Sequence, residues 1–213
     1  MFKAMGGTLY KYIDQGGWVM WPLLAMSLVA AAVIIERFIF LYRARIDAGS
    51  FMGQIRKVLL KRDIKQAVRI CETYKGPIAA IMKAGLMKYG KPAEEVEKTI
   101  ENAALREMAT LERFLPVLSS ISSIAPITGF FGTVIGMIAS FDVLAQQGLN
   151  NPALVARGIK IALITTATGL LVAIPTLICY NWFTSWISKF VREMETSTNI
   201  LMETFGEMDS LED

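Results

Sequence analysis

The chain has no histidine, two cysteines, and only 19% charged residues in 213. Without histidine there is no imidazole proton relay, no Ser-His-Asp triad and no His-ligated zinc. Cys71 and Cys179 lie far apart and form no CxxC, so neither a disulfide framework nor a zinc cluster is suggested. No nucleophile–base pair or Gly-rich phosphate loop stands out, so an enzyme is the least favoured class, and no cofactor or metal is expected. The net charge of +3 is too small to point to nucleic acid. Apolar residues, by contrast, make up 54% of the chain and the mean hydropathy is +0.44. Soluble domains run about 45–50% apolar and about 25% charged. The excess predicts a membrane protein, and with no strand pattern along the chain an all-α one.

Three runs approach the roughly 20 apolar residues that cross a bilayer. Residues 18–42 form the first transmembrane helix, with Trp18 and Trp21 at one interface and Arg43 and Arg45 past the other end. Its length and the preceding Asp14 argue for a retained helix and not a cleaved signal. Residues 115–145 and 154–186 are the second and third. Between them the link 146–153 is rich in Gly, Asn and Pro, so the two should form an antiparallel hairpin. Residues 1–17 place Phe2, Leu9, Tyr10 and Ile13 near helical spacing, as an outer interfacial helix would.

Lys and Arg crowd the 43–114 stretch and are nearly absent from the N-terminal tail and the link. This asymmetry predicts a cytoplasmic 43–114, an external N-terminus and an internal tail at 187–213. The 43–114 stretch reads as helical throughout. Phe51, Ile55, Val58 and Leu59 recur at helical spacing. Asp63 caps a helix running to about Tyr74, Gly76-Pro77 breaks it, and a third helix spans 78–89 before Gly90-Lys91-Pro92. From Ala93 an apolar stripe through Val96, Ile100, Met108 and Leu111 predicts a helix running straight into the second span, about 75 Å long, with Pro116 at the junction either kinking it or absorbed. The third span should likewise continue into the tail. The second and third transmembrane helices are therefore long and extend into a helical cytoplasmic domain.

The second span is rich in small and hydroxyl residues, including Ser119, Ser122, Gly129, Gly132, Thr133 and Gly136; the third carries Thr165, Thr166, Thr168 and Gly169. Small residues let helices approach closely and hydroxyls hydrogen-bond across the contact. Helix packing is the plain reading, and Gly129, Gly132, Gly136, Gly169, Pro126 and Pro175 are assigned to it. The sharper reading is a polar path, since each hydroxyl both donates and accepts. Neither span's apolar core holds Asp or Glu, which proton relays normally use. Asp142, near the outer end, faces Arg157 or Lys160 as a candidate ion pair. Glu36 and Arg37 are adjacent and do not face each other on a helix. Arg37 is expected to snorkel to the inner headgroups, and Glu36 to meet a basic group on another helix or subunit; structural ion pairing is the preferred reading, with gating or assembly control as the alternative. The acidic tail is read as solvated, with the basic 56–69 face as its alternative partner.

Ala125-Pro126-Ile127-Thr128-Gly129-Phe130-Phe131-Gly132-Thr133-Val134-Ile135-Gly136-Met137 resembles the APLLGLLGTVxGM signature of the ExbB/TolQ/MotA proton-channel family. Residues 158–175 resemble its GIxEALxTTAxGLxxAIP signature, and Glu36-Arg37 its ER pair. With three spans the chain is most similar to the ExbB/TolQ branch. Where the family pattern carries Glu, this chain has Ile161 after Lys160. The resemblance implies a stator of the bacterial inner membrane that turns proton motive force into work on the envelope: outer-membrane import, envelope integrity or motility. It implies a homopentamer around an ExbD/TolR-type single-span partner that supplies the membrane Asp. It places Thr133 and Thr166 on the proton path against that Asp, with Thr165, Ser119 and Ser122 as weaker candidates. A scaffold that assembles envelope proteins without conducting protons is the alternative. A solute transporter fits worse, for want of an inverted repeat.

Overall fold

The computed structural model describes residues 16–148 and 152–210. The interfacial helix expected over residues 1–17 therefore lies almost wholly outside the described residues, as do residues 149–151 of the 146–153 link. Among the described residues the chain is helical without strands. The helices are α1 (Met20–Arg43), α2 (Ala48–Leu59), α3 (Ile64–Thr73), α4 (Pro77–Leu86), α5 (Ala93–Glu112), α6 (Leu115–Gln147) and α7 (Pro152–Ser210). Three stretches are long and apolar enough to cross a membrane, with windows of mean hydropathy 2.2, 1.7 and 2.1. Only 17%, 28% and 28% of those windows is buried within the chain. So much uncovered apolar surface is stable only against lipid or other protein.

The chain divides into two compact units. One comprises Arg37–Arg113 and Trp182–Asp213. Its core is built from Phe51, Ile55 and Leu59 of α2, Ala67 and Cys71 of α3, Ile78, Ile81 and Met82 of α4, Ile100 of α5, and Phe183, Phe190 and Leu201 of α7. Side-chain caps set the helix starts. Asp47 accepts the Ser50 amide (3.4 Å) and Asp63 accepts the Gln66 amide (2.9 Å). Pro77 opens α4, where its missing N–H is not needed. Helix α4 stops at Leu86, three residues before the expected end; 87–90 turns back on itself, closed by Gly90 at φ +81°. Gly85 lies where a Cβ would sit 2.7 Å from Ile100 and 2.9 Å from Leu201, so α4 fits closely between α5 and α7. The acidic tail takes its alternative partner here: Arg56 pairs with Glu207 at 2.8 Å, and Arg62 donates to the Met208 carbonyl at 3.3 Å.

The helix expected to run from Ala93 straight into the second span is interrupted. Arg113 is extended (ψ 133°) and Phe114 is left-handed (φ +69°), so α5 ends and α6 begins anew. The cause is Pro116. In a continuous helix it would remove a hydrogen bond and clash with the preceding turn. With the break two residues upstream, it falls in the first turn of α6, where it costs little.

That break leaves the last carbonyls of α5 without helical partners, and Arg37 supplies them. It is only 2% exposed, its Nη1 donates to the carbonyls of Thr110 and Leu111 (3.2 Å each), and its guanidinium stacks on Phe40 at 4.6 Å. The snorkelling expected of Arg37 is thus corrected: a planar fork of donors at a helix C-terminus is more useful inside than in the headgroups. Glu36 is exposed on α1.

Candidate functional site

The second unit comprises Met1–Glu36 and Phe114–Asn181. Within it α6 and α7 run antiparallel and touch at their backbones. A Cβ on Gly129 would lie 2.8 Å from the Thr165 carbonyl and 3.2 Å from the Cα atoms of Thr166 and Gly169. One on Gly136 would lie 2.8 Å from the Gly158 carbonyl, and one on Gly169 2.6 Å from the Ala125 carbonyl. Gly132 receives the Thr165 side chain in the space a Cβ would fill. Only glycine leaves room for this approach, as at other close membrane-helix contacts.

The approach brings two hydroxyls together. Thr133 and Thr166, from α6 and α7, hydrogen-bond directly through their Oγ1 atoms, and either can be the donor. Around the pair stand two carbonyls. Thr166 Oγ1 reaches Gly129 O at 3.2 Å, and Thr133 Oγ1 reaches Ala162 O at 3.1 Å. Thr133 Oγ1 also lies 3.5 Å from Gly129 O. Each hydroxyl carries one proton, and either direction of the pair satisfies the group. In one, Thr133 donates to Thr166 and Thr166 to Gly129. In the other, Thr166 donates to Thr133 and Thr133 to Ala162. Both threonines are half-buried, so the pair has an open side.

The other candidates are placed differently. Thr165 is fully buried against Gly132 and donates to Ala162 O at 2.9 Å. Ser122 is buried and donates within its own helix to Ser119 O (2.8 Å), which also takes the Ser123 hydroxyl; Ser119 is half-buried. Helices α6 and α7 run through Pro126 and Pro175 without ending. Asp142, Arg157 and Lys160 are all exposed, and among the described residues none of them forms an ion pair. Ile161 is half-buried.

Sequence reading passed over one contact. Ser140 is buried, its hydroxyl lies within hydrogen-bond distance of Gly136 O (2.9 Å) and Val155 O (3.2 Å), and it fills the space over Gly158. The signal was there in the four-residue spacing of Gly136 with Ser140 and of Gly158 with Ala162. No cluster of metal-ligating side chains occurs among the described residues. Outside the spans, burial holds the Glu107 carboxyl of α5 above its ordinary value.

A multi-pass helical membrane protein, with a small-residue hairpin that presents paired hydroxyls in its apolar core, falls in the class of membrane transport and channel proteins. Residues 73–196 match the model of the MotA/TolQ/ExbB proton channel family. The chain is 31% identical over 188 residues to the putative biopolymer transport protein ExbB-like 3 of Synechocystis sp., covering 87% of this chain and 90% of that one. It is 30% identical over 190 residues to a putative biopolymer transport protein ExbB homolog of Methanothermobacter thermautotrophicus, covering 89% and 67%. Against the Tol-Pal system protein TolQ of Pseudomonas aeruginosa the identity is 45% over 92 residues, covering 43% and 40%. This chain belongs to the MotA/TolQ/ExbB proton channel family.

Proposed function

We propose that the protein is the channel-forming stator subunit of a proton-driven energy transducer in the bacterial inner membrane. It acts as a homopentamer around an ExbD/TolR-type single-span partner, with 43–114 and the C-terminus cytoplasmic and the N-terminus periplasmic. In this reading the spans are 18–42, 115–145 and 154–186. The observation that carries it is the Thr133–Thr166 pair. A proton moves along hydroxyls only if each can turn from donor to acceptor without stranding a hydrogen. Gly129 O and Ala162 O provide an acceptor for either setting. Reversal of the pair therefore leaves every donor satisfied, where an unmet buried donor would cost about 1–3 kcal/mol. What the pair lacks is a titratable carrier, since the apolar cores of α6 and α7 contain no Asp or Glu. A carboxylate on the partner's helix supplies it and is recognised by hydroxyls that donate to its charged form and accept from its protonated form. Thr165, held in the helix contact, acts by fixing the register of Thr166; Ser119 and Ser122 sit further along α6.

The test is proton flux into vesicles holding the protein and its partner. Thr166→Val removes the hydroxyl at nearly constant shape. It leaves Gly129 O short of one bond, which costs about 1 kcal/mol, so assembly should survive and flux should fall to the partner-free level. Flux equal to wild type in an assembled Thr166→Val or Thr133→Val complex refutes the assignment. The scaffold reading predicts no partner-dependent flux even in the wild type.

A further inference from the structure

Within the unit formed by Arg37–Arg113 and Trp182–Asp213, the end of α1 and the middle of α7 meet through a cluster of rings. Phe38 lies 5.9 Å from Trp182, 6.4 Å from Trp186 and 6.4 Å from Tyr42, and the two tryptophans stack at 5.5 Å. Tyr42 is 64% and Trp182 52% exposed, although both sit where apolar runs end and charges begin. Rings that are large, exposed and amphipathic at such a point mark the headgroup level of a bilayer. Next to them opens a cleft of about 590 Å³, within the range of small-molecule sites of about 300–1,000 Å³. Tyr42 and Trp186 wall it toward the ring cluster. Its polar wall carries Arg45 and Lys189 together with Asp47 and Glu193.

The charge pattern selects the occupant. A purely anionic head would meet two carboxylates as well as two cations, and a cation would meet the converse. A net-neutral wall with both signs suits a net-neutral head with both signs. The side chains are available for it. Arg45 and Lys189 are exposed, and Arg45 forms no ion pair among the described residues. Lys189 holds Glu193 only loosely, at 3.8 Å, and Asp47 spends one oxygen on the Ser50 amide at 3.4 Å. We propose that this cleft binds a phospholipid of the inner leaflet carrying a phosphodiester and a primary ammonium, as in phosphatidylethanolamine. Arg45 and Lys189 hold the phosphate, and Asp47 and Glu193 accept from the ammonium. A quaternary choline head has no N–H to donate to those carboxylates, so it binds less well. The acyl chains leave past Tyr42 and Trp186 into the hydrocarbon.

The proposal rests on the membrane orientation given above only for placing residues 42–49 and 186–193 at the inner leaflet. Its test needs neither partner nor proton flux, so either reading can fail without the other. Detergent-purified full-length protein is exchanged with equal amounts of dioleoyl-phosphatidylethanolamine, -phosphatidylcholine and -phosphatidylglycerol, and retained lipid is counted by native mass spectrometry. Ethanolamine lipid should be retained about tenfold over the other two, the scale set by hydrogen bonds to charged groups. The Arg45→Ala/Lys189→Ala double variant should lose that preference, and the Arg45→Lys/Lys189→Arg variant, which keeps the charges, should retain it. Equal retention of all three lipids, preference for the glycerol head, or an unchanged preference in the double alanine variant would overturn the proposal. So would a cross-link from position 45 into a second copy of the chain seated in the cleft.

Discussion

Replacing Arg37 tests the account of the break between α5 and α6. The guanidinium donates to two carbonyls that the break has left without helical partners. Hydrogen bonds from a charged donor contribute about 1.5–3 kcal/mol each. The two share one group and are not additive, and the Phe40 stack adds about 1 kcal/mol. Arg37→Ala removes these contacts, leaves Thr110 O and Leu111 O short of a donor, and opens a hole where a fully covered side chain stood. A destabilisation of about 3–5 kcal/mol is expected, the range seen when one partner of a buried charged network is deleted. For a chain of 150–250 residues each kcal/mol shifts Tm by about 2–4 °C, so the variant should melt at least about 6 °C lower. Arg37→Lys keeps the charge but not the fork, and should fall between the two. The assay is thermal unfolding of the detergent-solubilised protein, followed by circular dichroism at 222 nm. The snorkelling alternative predicts almost no change for either variant. A Tm for Arg37→Ala within about 2 °C of wild type would refute the clamp, because no buried carbonyl would then depend on it.

Gly129→Ala should destabilise by about 1–3 kcal/mol and weaken the α6–α7 contact, because its Cβ meets backbone atoms that cannot step aside. Gly206→Ala, with nothing within 4 Å of the added Cβ, should instead stabilise α7 by about 0.5–1 kcal/mol; Tm measurements on the pair check both signs. For Glu107, burial raises the folded-state carboxyl above its unfolded value. The folded chain then binds that proton more tightly, so this residue's contribution to stability is greatest at low pH and declines as pH rises through the carboxylate range. Glu107→Gln should flatten that decline; a pH series of Tm values that is unchanged in the variant would rule this out.

Much of the architecture was legible because it depends on local pattern. Apolar length gave the three membrane-capable helices. The cap at Asp63 and the breaks at Pro77 and Gly90 follow from backbone chemistry that a few neighbouring residues settle. The glycine and hydroxyl spacing of α6 and α7 already announced a close helix pair, and the family signatures lie on those same residues. The break at Phe114 was only half legible. Pro116 marks the spot, but whether a helix bends through a proline or stops ahead of it depends on whether the stranded carbonyls find donors.

What the tertiary structure alone decided is which distant groups meet. Arg37 and Leu111 are 74 positions apart, and no local pattern tells a snorkelling arginine from one that closes a helix end. Thr165 and Thr166 are neighbours in sequence with the same side chain. A rotation of about 100° per residue buries the first against Gly132 and turns the second onto Thr133. Composition and periodicity set which helices form and how apolar they are, because those energies are summed along the chain. Which hydroxyl faces which carbonyl is set by the packing angle and register of two helices, and that belongs to the folded pair.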